Sequence, residues 1–372
     1  MINKYQIQNF KNHSNSILNL SNLNILTGVN GRGKSSIIQS MLILRESFMR
    51  KSSMEELTLD GDSFSVGNSA SLVNKHVSSE QNLLKISLEE DCGTLDFSYT
   101  YPMDDVNYLE RSEDGTVYDT VTMKKLSLFN DDFQYLSAFR MGPAHSYNSN
   151  AAVVDKHKQI SKELGKGEFV VHFLSRFGGD NIPIDTLKYE GIESLKLYDQ
   201  VQAWMGEISD GLQLKINQNG DKYEILYGYY IEGETTEYHS AYNTGYGISY
   251  ILSVVVAILS ASRNSLIIIE NPEAHIHPAG QASLMRLITL AASQGVQIIL
   301  ETHSDHIING ALVNLKQLGL NKDLLSVYYF DRDEKLNAKP IQLKVAENGR
   351  IKGAPRGFFD QMSMDLEVLF DL

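Results

Sequence analysis

The sequence predicts an α/β fold built on a mixed sheet, with an antiparallel β subdomain and an inserted helical/β lobe. Three observations carry that prediction. The chain opens with strand, glycine loop and helix in direct succession; residues from about 56 to 130 break into short alternating runs; and the last third alternates apolar strand-like runs with helical ones. Strands alternating with helices point to a parallel sheet covered on both faces.

Taken in order, Ile2, Tyr5, Ile7 and Phe10 fall in a short mixed segment, and SILNLSNLNILTG then places Ile17, Leu18, Leu20, Leu23, Ile25 and Leu26 ahead of a glycine-rich loop. This reads as two strands feeding the loop. Beyond it, Ile37, Ile38, Met41, Leu42, Leu44 and Phe48 recur at helical spacing with no Gly or Pro to interrupt them. The runs LLKISLEE, GTLDFSYTY and GTVYDTVTM, separated by the turn signals DCG and EDG, read as antiparallel strands. FQYLSAFRMGP, at 133–143, reads as an apolar strand ended by Gly142 and Pro143. Residues 150–210 are lysine-containing and partly helical, and LQLKINQNGDKYEILYGYYIEG follows as a hairpin with Asn219 and Gly220 in its turn. The rest is expected as helix 248–261, strand SLIIIE, helix 278–292, strand VQIILET, helix 305–318, strand SVYYF, and a tail of loop and short amphipathic helix. The expected organisation is therefore an N-terminal part over 1–150, an inserted lobe over 151–240, a C-terminal part over 241–345 and a tail over 346–372.

Composition narrows the function classes. The 372 residues carry 33 Lys plus Arg against 46 Asp plus Glu, a net charge of −13, which argues against a chain that coats nucleic acid through bulk charge. The single cysteine, Cys92, excludes an intramolecular disulfide framework and a zinc finger, so a reducing, cytoplasmic compartment is the expectation. The opening MINKYQIQNF lacks the order of a secretory signal. The longest apolar stretch, at 248–262, is shorter than the roughly 20 residues a membrane helix needs, so no membrane is expected among its partners.

Four segments carry chemistry. Residues 28–35, GVNGRGKS, match G-x-x-x-x-G-K-[ST] between a predicted strand and a predicted helix. Glycines at 28, 31 and 33 let backbone N–H groups turn toward phosphate oxygens at a helix N-terminus. Lys34 would then reach the β and γ phosphates and Ser35 would hold Mg²⁺. The second segment, SLIIIENPEAHIHP, puts Glu270 at a strand end, where a carboxylate binds Mg²⁺ directly or through water, with Glu273 in support. Taken alone such an acid reads as a solvated strand end; beside a P-loop the functional reading prevails. The third, VQIILETHSDHI, ends in Glu301, Thr302, His303 and Ser304 at the same sheet edge, and His303 is the candidate contact for a γ-phosphate or the attacking water. His275, His277 and His306 lack the spacing of a metal cluster, so no metal beyond Mg²⁺ is expected. The fourth, AYNTGYGISY, sets Gly245 and Gly247 before an apolar helix, and phosphate reception and a plain capping turn fit it equally.

In this order, GVNGRGKSS, NTGYGISY, IIIENPEAHIHP and ILETHSDHI resemble the ATP-binding-cassette-type ATPases of the SMC, Rad50, RecF and OLD group, over the N-terminal and C-terminal thirds. Within it the chain is most similar to standalone prokaryotic ATPases with ENPEAHxHP and THSDH segments and a GFFD tail, here Gly357, Phe358, Phe359 and Asp360. Such ATPases occur in anti-phage defence operons beside a nuclease or other effector, in Septu-like and retron-linked systems. The resemblance implies a P-loop NTPase of the ABC-ATPase head type that sandwiches two ATP molecules in a head-to-tail dimer. It also implies that Asn30, Gly31, Arg32, Gly33, Lys34, Ser35, Ser36 and Arg140 bind ATP, and that Ser35 and Glu270 hold the metal. Glu270, Asn271, Glu273 and His303 are the implied catalytic set, and Thr244, Gly245, Gly247 and Ser249 the signature acting in trans, with His275 to Pro278 crossing the interface.

Three departures follow. Asn271 stands where the cassette ATPases place the glutamate that positions water, and an amide cannot accept a proton as a carboxylate does. Either Glu270 or Glu273 takes that role, or turnover is slow. The signature lacks an LSGGQ-like string, and no glutamine loop follows FQYLSAFR. The residues after His303 leave no room for the Toprim nuclease of OLD enzymes, so any cutting is expected from a partner. The leading expectation is an ATPase that drives or gates an effector, a nuclease or toxin; the alternative is an ATP-held scaffold with very slow hydrolysis. Higher oligomers and DNA contact stay open, and Lys156, Lys158, Lys162 and Lys166 read first as a solvated face.

Overall fold

Two hydrophobic cores flank one central sheet in the computed structural model, which describes residues 1–75, 82–91, 93–346, 349–355, 358, 359, 365 and 367–370. The chain opens with β1 (Ile2–Phe10), β2 (His13–Asn19) and β3 (Leu23–Gly28), then α1 (Lys34–Arg50). Short strands β4 (Glu56–Thr58), β5 (Leu83–Glu90), β6 (Gly93–Thr100) and β7 (Tyr108–Arg111) lead to α2 (Thr120–Lys124) and β8 (Phe133–Leu136). The middle section holds β9 (Tyr147–Asn148), α3 (Val170–Phe177), α4 (Leu197–Ile208), the hairpin of β10 (Leu212–Asn219) and β11 (Lys222–Ile231), β12 (Glu234–Thr235) and β13 (His239–Ser240). Last come α5 (Tyr246–Leu259), β14 (Leu266–Glu270), α6 (Pro278–Ser293), β15 (Gln297–Glu301), α7 (Asp305–Gln317), β16 (Leu325–Arg332), β17 (Ala338–Val345) and β18 (Ile351–Lys352).

The central sheet runs β18-β17-β16-β3-β15-β14-β8; the five strands from β16 to β8 are parallel, and β17 and β18 add an antiparallel edge. Side chains on a strand alternate between faces, and the alternation sorts them between the two cores. Ile25, Ile267, Ile269, Ile298 and Leu300 join one, while Leu26, Leu266, Ile268 and Ile299 join the other. Burial on both faces explains why these strands read as unbroken apolar runs. The second core holds α1 between the central sheet and an antiparallel sheet of order β2-β1-β5-β6-β7-β4.

The middle lobe shares the first core. Val201, Trp204 and Met205 of α4 pack in the same cluster as Ile251 and Leu252 of α5 and Leu284 of α6. Arg286 of α6 lies over the Trp204 ring at 4.9 Å and pairs with Glu207, so a cation from the head closes the lobe's seam. Among the described residues no helix is long and apolar enough to cross a membrane.

Several expectations change. The two strands expected before the glycine loop are three: β1 and β2 pair with each other in the antiparallel sheet, and only β3 enters the central one. GTVYDTVTM is not a strand. Asp119 accepts hydrogen bonds from the Thr122 N–H at 2.9 Å and the Thr122 hydroxyl at 2.6 Å, and this cap starts α2 in spite of the alternating pattern. The FQYLSAFR strand stops at Leu136, because the following residues turn back to bond the strand end at Glu270. Cys92, Gly357 and Asp360 lie outside the described residues.

Candidate functional site

The loop between β3 and α1 is shaped by two glycines. A Cβ on Gly28, at φ 129°, would lie 2.5 Å from the Phe330 carbonyl oxygen of neighbouring β16, and one on Gly33, at φ 104°, would lie 2.7 Å from His13 Nε2. The first N–H groups of a helix have no intrahelical acceptor, and α1 has neither a side-chain cap nor an acidic residue in its first turn. That leaves donors and dipole free for an anion.

His13 holds this loop from β2. Its Nε2 lies 3.0 Å from the Gly33 carbonyl oxygen and its Nδ1 2.7 Å from Ser16 Oγ. Burial pushes its pKa down to about 4, with Lys11 adding to the effect and the Gly33 hydrogen bond opposing it. The ring is therefore neutral at pH 7; those partners make Nε2 the donor to Gly33 and Nδ1 the acceptor from Ser16.

A cleft of about 600 Å³ opens over the loop. Asn30, Gly31, Gly33, Lys34, Ser35 and Ser36 form its floor. Three strand ends supply the walls: Ala138 and Phe139 beyond β8, Glu270 and Asn271 at β14, and Glu301 and His303 at β15. Lys11, Asn12 and Arg332 close the remaining side, with Arg332 Nη2 donating to the Gly31 carbonyl oxygen at 2.8 Å.

Lys34 donates from Nζ to the carbonyl oxygens of Gly28 at 2.9 Å and Val29 at 3.2 Å, and stands 4.0 Å from Glu301 Oε1. Burial lowers its pKa and Glu301 opposes that. Ser35 Oγ donates to the same Glu301 Oε1 at 3.0 Å. Burial, then the neighbouring Glu270, pushes the Glu301 carboxyl up to about 7, against Lys34 and Ser35. Glu270 accepts from the Tyr135 hydroxyl at 3.0 Å and the Ala138 N–H at 3.3 Å, and burial raises its pKa too. Asn271 takes the left-handed conformation at φ 45°, donating its N–H to the Glu301 carbonyl oxygen at 2.7 Å. Glu273 accepts from the His303 N–H at 2.9 Å; burial and then Lys34 lower the His303 pKa while Glu273 raises it.

Not every expected residue reaches the cleft. Arg140, read as a nucleotide contact, is 2% exposed and forms no wall. It donates to the carbonyl oxygens of Ser137 at 2.8 Å and Asn271 at 2.6 Å, and to that of Glu270, tying β8 to the end of β14. Arg32 is half-buried and forms no wall; the guanidinium at the cleft is Arg332. Thr244, Gly245, Gly247 and Ser249 lie at the start of α5, off this chain's own cleft. Gly245 is open to solvent, but a Cβ on Gly247 would lie 2.1 Å from the His275 carbonyl oxygen, and Ser249 is buried. Among the described residues no group of three or more His, Cys, Asp or Glu is placed to hold a metal by itself.

No motif in the sequence points to His13, Arg332, Lys11 or Asn12, and none gives Glu301 a role of its own. Glu301 had a signal, as one of the residues ending the VQIILE run. Arg332 arrives by the pairing of β16 with β3, distant in sequence, while Lys11, Asn12 and His13 sit where β1 turns into β2 and carry no local motif.

The AAA ATPase domain family matches residues 1–171 and 155–308, and a family described as a protein of unknown function (DUF3696) matches 320–369. No curated protein matches the chain. Among solved structures, an Smc head bound to the C-terminal winged-helix domain of ScpA is similar at TM-score 0.54 and 13% identity, covering 92% of this chain and 98% of that one. An Smc head domain with an extended coiled coil, bound to the C-terminal domain of ScpA derived from Pyrococcus furiosus, is similar at TM-score 0.52 and 13% identity, covering 100% and 99%. The fold is thus that of an SMC-like, ABC-type P-loop head. With its glycine loop, lysine and converging carboxylates in place, the chain belongs to the AAA ATPase domain family.

Proposed function

We propose that the chain binds and hydrolyses Mg-ATP as a head-to-tail dimer and uses the cycle to drive or gate a partner protein. The observation that carries the reading is the cleft itself: an uncapped helix N-terminus, with Lys34 and Ser35 beside the buried Glu301 and the half-buried Glu270 in the same cleft. ATP phosphates lie against the loop N–H groups from Asn30 to Ser36, with Lys34 released from its two carbonyl oxygens to reach them. Ser35 and a carboxylate hold Mg²⁺, which when bound neutralises charge developing on the phosphoryl oxygens. Ser35 Oγ already at hydrogen-bond distance from a buried carboxylate supports that fit. Of the expected catalytic set, Glu270 at the cleft wall and Glu273, set behind the wall on the His303 N–H, are the carboxylates able to take a proton, and His303 lies at the cleft to meet the γ-phosphate.

The dimer reading is supported by an exposed surface around the start of α5. Gly245 and Tyr246 at the start of α5 are exposed, as are His275, His277 and Pro278 in the loop packed on it. In a head-to-tail dimer the segment from Thr244 to Gly247 closes the partner's cleft, while buried Ser249 only shapes it. Both similar Smc heads are bound to a domain of ScpA, which supports a protein partner here; a nuclease or toxin encoded beside it, in anti-phage defence, is the effector we propose. Direct DNA contact through the lobe lysines has less support, because Lys162 pairs with Asp62 at 3.4 Å and Lys166 with Glu163 at 3.1 Å.

Asn271 favours a second reading, an ATP-held scaffold that hydrolyses very slowly, since its amide stands at the wall where a proton acceptor is expected. Phosphate release measured across a protein dilution series separates the two. The ATPase reading expects turnover per chain that rises with concentration; ATP binding without phosphate release at any concentration establishes the scaffold, and Asn271→Glu then raises the rate.

A further inference from the structure

We propose that Glu301, and not Glu270 at the end of β14, holds the divalent cation of this cleft together with Ser35. The inference rests on the Mg-nucleotide reading above and deepens it by moving the metal to a different strand.

Strand order comes first. β15 pairs directly with the P-loop strand, Glu301 opposite Leu26, whereas β14 lies one strand farther away, roughly 4.8 Å. The side chains follow that order: Ser35 Oγ donates to Glu301 Oε1 at 3.0 Å. Glu270 is committed elsewhere, with Tyr135 on one carboxylate oxygen and Ala138 on the other.

Glu301 is also the wall residue with an oxygen to spare. It is 6% exposed, it forms part of the cleft, and its Oε2 has no hydrogen-bond partner among the described residues. A buried carboxylate oxygen without a donor is costly, and a hard cation with oxygen ligands relieves that cost. The nearest cation of the chain, Lys34, stays 4.0 Å from Oε1 and spends its donors on Gly28 and Val29. Glu273 Oε2 likewise has no hydrogen-bond partner among the described residues, yet Glu273 is not a wall of the cleft. Mg²⁺ is usually bound through one or two carboxylates together with substrate phosphates and water. Glu301, the Ser35 hydroxyl and nucleotide phosphates make such a set, and Glu270 keeps its place beside Tyr135.

The test titrates Mn²⁺ into full-length protein with the non-hydrolysable AMP-PNP, reading free Mn²⁺ by electron paramagnetic resonance. Glu301→Gln should weaken Mn²⁺ roughly ten-fold or more, and Glu270→Gln clearly less. Glu301→Asp, which keeps the charge but withdraws it by one methylene, should fall between wild type and Glu301→Gln. AMP-PNP binding measured in EDTA should persist in all of them. A loss confined to Glu270→Gln, or equal in the two glutamine variants, overturns the assignment while leaving the nucleotide site standing. Absence of AMP-PNP binding in the wild type, with or without Mn²⁺, overturns the function reading and this inference together.

Discussion

Two helices begin at glycine-led turns, α1 after Gly33 and α5 after Gly245. In both, a small residue lets backbone approach backbone, but the neighbours differ. At α1 the glycines clear space for Phe330 and His13, so that the loop is gripped from behind and its N–H groups face an open cleft. At α5 the close approach is to the loop that follows the carboxylate strand: Gly247 is pressed against the His275 carbonyl oxygen, and the ring of His275 lies 5.0 Å from that of Tyr250. One glycine turn builds a receptacle; the other couples a helix to the loop carrying Glu273. Glycine content alone cannot separate those roles, because a helix N-terminus becomes a site only when something positions a ligand's charge in front of it.

The largest effect that tests this contrast is complementation. If α1 binds nucleotide in its own chain and α5 completes the partner's site, Lys34→Ala and Gly245→Arg homodimers should both be inactive for different reasons. The first loses ATP binding, while the second binds ATP to the single chain and fails to turn it over. Mixing the two in equal amounts should restore ~one quarter of wild-type turnover, because random pairing makes half the dimers mixed, each with one intact site. No recovery on mixing, with both variants folded and exchanging subunits, would remove the trans role of α5.

Next in size is a difference within α5. Gly247→Ala drives a methyl group into a backbone carbonyl that has no rotamer to escape by, and should destabilise the protein by about 3 kcal/mol, the upper end for overpacking. Gly245→Ala, with nothing within 4 Å of the new Cβ and an ordinary φ of −60°, should stay within about 0.5 kcal/mol. Equal urea midpoints for the two variants would contradict the close packing of α5 on the His275 loop.

What could be read in the sequence divides along the same line. GVNGRGKS was legible because all its roles lie within eight consecutive residues, and the apolar β14 and β15 were legible because both their faces are buried. Which carboxylate meets Ser35 was not, since it depends on β15 lying between β3 and β14, a fact of strand order that no local pattern contains. Arg140 is a ligand contact only by the family resemblance; in the fold its guanidinium donates to three carbonyl oxygens. GTVYDTVTM alternates like a strand, yet one aspartate cap decided the matter locally. The edge strands β17 and β18 follow the last apolar run that was recognised, and their half-exposed pattern gave no clear period.

The smallest effect we predict belongs to the α1 side and separates it from α5 by pH. His13 titrates at about 4 in the folded chain, against about 6.5 for an exposed imidazole. As pH falls from 7 toward 4 the unfolded chain takes up a proton there before the folded chain does. Its contribution is therefore present above pH 6.5 and is lost as pH falls through that window. Between pH 7 and 5 the loss from this one group is on the order of 2 kcal/mol. His13→Gln keeps a donor for the Gly33 carbonyl oxygen but does not titrate, so urea unfolding of the variant should lack that part of the slope. Parallel slopes in wild type and variant would mean that His13 is not held neutral beneath the loop. Glu301 works in the opposite sense, since its raised pKa costs stability as pH rises from about 4.5 to about 7. The difference between wild type and His13→Gln, taken at each pH, is what isolates the histidine beneath the loop from the Glu301 carboxylate beside Lys34.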